Sequence, residues 1–139
     1  MAEKHPLRPI RVSFLAICTC LLSLWYGLRM IEAIRFWQTL SAYQVRPGPA
    51  YLAATGGFWL LAGVACAWGL WTGELWGWWG SIGTAVGYVL WYWFDRLVFQ
   101  YPHSNWPFAL TISMVGLAAF LLILLSSTTV RFFNTKREP

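Results

Sequence analysis

Fifteen charged residues divide this 139-residue chain into long stretches that carry no charge at all. Positions 12–28, 47–73, 75–94 and 97–130 are such stretches, of 17, 27, 20 and 34 residues. A bilayer core about 30 Å thick needs roughly 20 apolar residues of helix. The pattern therefore predicts four transmembrane helices, at about 11–31, 50–71, 75–95 and 107–129. Backbone groups in lipid must find partners within the chain, which favours helices. A membrane β-barrel would instead show short segments alternating at period two, and no such alternation runs through these stretches.

Composition agrees with that reading. Charged residues are 11% of the chain and apolar residues 58%, against about 25% charge in a typical soluble domain. The expected fold class is all-α: an antiparallel, integral membrane four-helix bundle forming a single domain over 1–139. Lys4, Arg8 and Arg11 before the first span could open a signal peptide, but bulky Trp25 and Tyr26 follow where small residues should mark cleavage. The segment is read as an uncleaved span.

The connections fit four spans. Arg46-Pro47-Gly48-Pro49 interrupts helix and opens the second, with proline tolerated in a first turn. Thr72-Gly73-Glu74 is short enough to make spans two and three an antiparallel hairpin. Asn105 is the expected cap of the fourth, with Pro107 in its first turn. After the first span an amphipathic extension is expected at about 30–44. It sets Met30, Ala33, Ile34, Trp37 and Leu40 on one arc and Glu32, Arg35 and Gln38 on the other.

Lys and Arg near the span ends set orientation. The tails hold Lys4, Arg8, Arg11, Arg131, Lys136 and Arg137, against Arg29, Arg35, Arg46 and Arg96 on the opposite side. Six against four predicts a cell-membrane protein with both termini cytoplasmic. Trp68, Trp71, Trp76, Trp78 and Trp79 gather around the hairpin turn, and Trp91, Tyr92, Trp93, Tyr101 and Trp106 at the other end. Two such groups read as interfacial aromatic belts.

Two features suggest how the helices pack and what they hold. Gly83 and Gly87 give the third span a G-x-x-x-G pair, and Gly80 with Thr84 a second small pair, expected to let it approach the second span or another copy of the chain. Arg29, Glu32 and Arg35 recur on one drifting face of the first helix, and Asp95 and Arg96 end the third span. The two groups fall at similar depths, and a charge cluster of Arg29, Glu32, Arg35, Asp95 and Arg96 is expected near the outer interface. Its first reading is an ion-pair network locking spans one and three; a site for an anionic ligand is the second. Below it, Ser81, Thr84, Tyr88 and Asp95 make one polar stripe and Ser23, Tyr26 and Arg29 another, expected to face each other because polar side chains avoid lipid.

Catalytic chemistry is not visible in the sequence. His5 lies in a tail and His103 in a loop. Cys18 and Cys20 point to nearly opposite sides of a helix, and with Cys66 they read as packing residues. No metal site, cofactor site, phosphate loop or nucleic-acid surface is predicted. The tails are expected to attract anionic lipid. The leading expectation is a non-catalytic accessory, assembly or interaction subunit, partnered by the bilayer and by a larger membrane complex or copies of itself. An oligomeric small transporter or channel with a charged outer-side site is the alternative. A lipid enzyme using Glu32, Asp95 or His103 as base ranks last.

Overall fold

The computed structural model describes residues 9–99 and 105–135, and all its regular elements are helices. The tail positions Lys4, His5, Arg8, Lys136 and Arg137, and Tyr101 and His103 of the last loop, lie outside the described residues. In order the elements are α1 (Ile10–Arg35), α2 (Trp37–Ala42), α3 (Pro49–Thr72), α4 (Leu75–Phe99), α5 (Trp106–Leu124) and α6 (Ser127–Thr135). Among them α1, α3 and α5 are long and apolar enough to cross a membrane. Helix α4 has 25 residues, but its many Trp, Tyr and Gly residues give it a lower mean hydropathy and it is not among the three. Large apolar side chains cover the outside of the molecule, including Leu61, Leu90, Phe108 and Leu122. Such a surface is foreign to a soluble monomer.

Partner residues run in opposite directions along each packed pair. Gly56 lies against Met30 and Gly63 against Ser23, so α1 and α3 are antiparallel. Gly69 meets Gly77, Cys66 meets Thr84, and Tyr51 meets Asp95, so α3 and α4 are antiparallel too. The bonds Trp93–Ser113 and Trp78–Leu124 give the same sense to α4 and α5. Helix α3 lies between α1 and α4 and packs most closely on α1, whereas the seam between α5 and α1 is sparse.

The turn between α3 and α4 follows from one residue. Gly73 adopts φ 72°, a left-handed conformation that glycine enters without steric cost. The Glu74 N–H then reaches the Gly69 carbonyl at 2.9 Å, closing the end of α3 as a left-handed cap does.

Several boundaries and contacts depart from the sequence expectation. The extension expected at 30–44 is not one helix: α1 runs unbroken to Arg35, turns at Phe36, and is followed by the six residues of α2. The fourth span stops at Leu124 rather than 129, and α6 follows as a separate helix. Ser126 donates to the Ile123 carbonyl at 2.8 Å and Thr129 to the same oxygen at 3.0 Å. Hydroxyls that capture backbone carbonyls offer the chain an alternative to continuing the helix, a signal invisible in a count of charges. Asn105 precedes α5 in a left-handed conformation and makes no side-chain cap bond.

The small-residue contacts also fall elsewhere. A Cβ on Gly83 would meet nothing within 4 Å, and one on Gly87 only Trp59 at 3.9 Å. Gly80 faces Cys66 at an ordinary 3.5 Å. Close approach is made instead by Gly69 and Gly77, backbone on backbone, and by Gly56 and Gly63 of α3 against α1. The expectation chose the richest glycine helix, but a glycine matters only where a backbone faces it.

The tightest core lies at the end of the molecule that carries the start of α1 and the end of α5. Val12, Leu15, Leu70, Leu124 and Phe133 are buried there, and Trp78 and Phe120 pack on them. Helix α6 brings Phe133 into this plug. Trp78 is thereby drawn inward from its expected belt, its indole N–H donating to the Leu124 carbonyl at 3.0 Å. Trp68, Trp71, Trp76 and Trp79 remain exposed.

Candidate functional site: a cavity between four helices

Above that plug the four long helices line a cavity of about 580 Å³. Its wall is built from stripes at helical spacing. Helix α4 contributes Ser81, Thr84, Tyr88, Tyr92 and Arg96, each three or four positions after the last. Helix α1 adds Thr19, Ser23 and Tyr26, and α3 adds Trp59, Gly63 and Cys66. Helix α5 closes the ring with Ala109, Ser113, Gly116 and Phe120.

Three hydroxyls in the wall, those of Ser23, Ser81 and Ser113, are bound to their own helices. Ser23 donates to the Thr19 carbonyl and Ser81 to the Gly77 carbonyl, both at 2.6 Å. Thr84 pairs with Cys66 at 3.2 Å, joining α4 to α3. These groups are satisfied, as buried polar groups must be, so the surface they present to the cavity is largely apolar. The exception is the tyrosine pair at mid-height. Tyr26 of α1 donates to the Tyr88 hydroxyl of α4 at 2.6 Å, with the rings edge to face at 5.7 Å. Because a phenol both accepts and donates, Tyr88 keeps its own hydrogen after accepting that bond. Trp59 holds the Tyr88 ring from the α3 side at 5.4 Å, again edge to face.

The polar stripes expected on the first and third spans do meet, through Ser23, Tyr26, Ser81, Thr84 and Tyr88. At their upper end the charged residues part company. Arg96 lines the cavity, and its guanidinium donates to the Tyr92 hydroxyl at 3.2 Å. Asp95, one position earlier, turns to α3 and accepts from the Tyr51 hydroxyl at 3.1 Å. Tyr51 is set in place by stacking on Trp91 at 5.4 Å and by Phe99 at 4.9 Å. Arg29 lies within electrostatic reach of both Tyr26 and Tyr51, with its guanidinium 6.0 Å from the centre of the Tyr26 ring. Arg35 sits 5.5 Å from the Phe36 ring. Arg29 and Glu32 share a second, smaller groove of about 330 Å³ with Phe36, Thr39 and Leu52. Arg96 lines the cavity mouth, Asp95 makes the Tyr51 contact, and Arg29, Glu32 and Arg35 sit at the α1–α2 elbow, with Arg29 and Asp95 both within electrostatic reach of Tyr26 and Tyr51.

Sequence reasoning did not single out Trp59 or the α5 wall, and it placed Tyr92 in an aromatic belt rather than in a cavity. One signal was present. Ala109, Ser113, Gly116 and Phe120 follow one another at four, three and four positions, and three of the four are small on a helix rich in large apolar residues. Among the described residues no group of three or more His, Cys, Asp or Glu side chains could hold a metal ion.

No family model, curated protein or solved structure matches the chain.

Proposed function

We propose that this chain is a multi-pass protein of the cell membrane in which α1, α3, α4 and α5 all span, as an antiparallel four-helix bundle with both termini cytoplasmic. It acts without catalysis, as an accessory, assembly or interaction subunit. Helix α4 is counted as a span because its first twenty residues carry no charge and because it lies antiparallel on α3 through a two-residue turn. The basic tails then face anionic lipid, worth about 1 kcal/mol per Lys or Arg near the surface.

The observation that carries the reading is the bareness of α5. Its side chains Phe108, Ile112, Val115 and Leu122 are more than half exposed, and only 6% of its apolar window is buried inside the molecule. A helix with so little intramolecular cover is completed by lipid or by the helix of another subunit. The competing transporter reading draws on the cavity and on Arg96. The plug of Val12, Leu15, Leu70, Leu124 and Phe133 across the cavity's inner end counts against a through-route.

The test is photocrosslinking in native membranes from position 115 or 122, followed by sizing in mild detergent. A discrete heavier species through both positions is expected, from a second copy or a different protein. A chain that remains monomeric in both measurements overturns the association reading. Ion or solute flux in liposomes, lost on Arg96→Gln, would replace it with the transporter.

A further inference from the structure

We infer that the cavity is a binding site for a single-chain anionic amphiphile, with a carboxylate or phosphate head at Arg96 and its hydrocarbon chain running down towards the plug. The inference goes beyond the association reading and stands on three features of the cavity: its length, its zoning and its open seam.

The wall extends along α4 from Ser81 to Arg96 and along α5 from Asn105 to Phe120. At about 1.5 Å per residue each stretch is ~22 Å long. A volume of about 580 Å³ spread over that length describes an elongated cavity. Binding cavities for small molecules fall in this volume range.

The zoning is that of an amphiphile. The lower part is lined by Leu22, Leu117 and Phe120 and by hydroxyls already bound to their own helices. The upper end holds Tyr92, Asn105 and Arg96. A guanidinium presents a planar fork of donors that matches carboxylate and phosphate oxygens. The neighbouring Asp95 accepts a hydrogen bond from Tyr51 of α3. Midway, the Tyr88 hydroxyl can donate to an oxygen or double bond on the chain.

Access comes from the side. The seam between α1 and α5 is the sparsest of the four around the cavity. In a bilayer that seam opens to lipid, and a void lined by apolar atoms loses dispersion contacts until a chain fills it.

Two substitutions separate head from chain. Arg96→Gln removes the charge at the mouth. Gly116→Leu fills the cavity from α5 without forcing the fold, because a Cβ there meets nothing within 4 Å and leucine favours helix over glycine. The full chain is purified in a neutral maltoside detergent, and equilibrium dialysis is run with oleate, with lysophosphatidate and with monoolein as the uncharged control. The expected result is saturable binding of about one anionic molecule per chain, roughly tenfold or more tighter than monoolein. Arg96→Gln should abolish that preference without changing monoolein binding, and Arg96→Lys should restore much of it. Gly116→Leu should weaken all three ligands. The ratio of oleate to lysophosphatidate affinity identifies which anionic head the mouth prefers. Non-saturable uptake overturns the site, as does equal weakening of charged and neutral ligands by Arg96→Gln. Unchanged binding in folded Gly116→Leu does the same.

Discussion

Helices α1 and α3 touch along their backbones, whereas α4 and α5 stand apart and are joined by a few directed bonds. The first pair meets where α3 offers glycine: Gly56 lies against the Tyr26 carbonyl and Met30, and Gly63 against Ser23. The second pair is held by indoles reaching across, Trp93 to Ser113 and Trp78 to Leu124. In lipid, apolar side chains gain nothing from hiding from water, so helices associate through close packing and interhelical hydrogen bonds. The two halves of this molecule use those two means separately. Where backbones approach there is no room for anything else; where bonds bridge a gap, the gap remains as a cavity.

The sharpest way to break the comparison is to spoil a close backbone contact. Gly77 faces the backbone of Gly69, so Gly77→Val must push α3 and α4 apart at their turn. Overpacking of this kind costs about 1–3 kcal/mol and occasionally more, and no flexible side chain is there to yield. Thermal unfolding in detergent should show a large fall in midpoint and in folded yield. Gly83→Val on the same helix should behave oppositely, because its Cβ points into open space. It should lie within about 0.5 kcal/mol of the parent, as surface substitutions do. Equal damage from both would mean that glycine acts through helix flexibility and not through contact, and the role given to backbone approach would fail.

That pair of glycines also marks the limit of what the chain reveals as a string of letters. The all-helical fold, the hairpin at Gly73 and the meeting of Ser23, Tyr26, Ser81, Thr84 and Tyr88 were legible, because charge, turn chemistry and helical spacing are local properties. Which glycines would be pressed was not, because spacing alone leaves the rotation of a helix about its axis open. The same uncertainty misplaced the end of the α4 stripe. Asp95 and Arg96 are a hundred degrees apart on the helix, and only the position of α3 decides that Asp95 leaves the stripe while Arg96 continues it. The break before α6 was written in Ser126 and Thr129, but a search for charge-free runs passes over hydroxyls. The cavity has no sequence signature of its own beyond the stripe on α5, since it is defined by where helices fail to touch.

A smaller effect is expected at the upper contact between α3 and α4, where the means of holding changes from packing to a charged hydrogen bond. Tyr51→Phe removes the donor to Asp95 and leaves the stacking on Trp91 in place. Hydrogen bonds to charged groups contribute about 1.5–3 kcal/mol, and the position near the helix ends places this one at the lower limit. Asp95→Ala should cost as much or more. Glu32→Ala should cost less, since Glu32 lines the open α1–α2 groove and not the interface. If Glu32→Ala proves as damaging as Asp95→Ala in the same melting assay, the charged residues act as one network, and the division into separate environments is wrong.

The smallest change should come from the loose half. Trp93→Phe deletes the indole donor to Ser113 while keeping an aromatic ring against α5. Hydrogen bonds between membrane helices average about 0.6 kcal/mol, so the unfolding midpoint should scarcely move. The informative readout is local. A cysteine placed at position 116, inside the cavity wall, should react faster with a membrane-permeant thiol reagent once α5 has lost one of its tethers. The native thiols Cys18, Cys20 and Cys66 provide the background. A rise in labelling at 116 without a fall in midpoint is the behaviour of a helix held by a few bonds. A fall comparable to that of Gly77→Val would show instead that α5 belongs to the same cooperative unit as α1 and α3, and that the cavity is enclosed by a rigid wall.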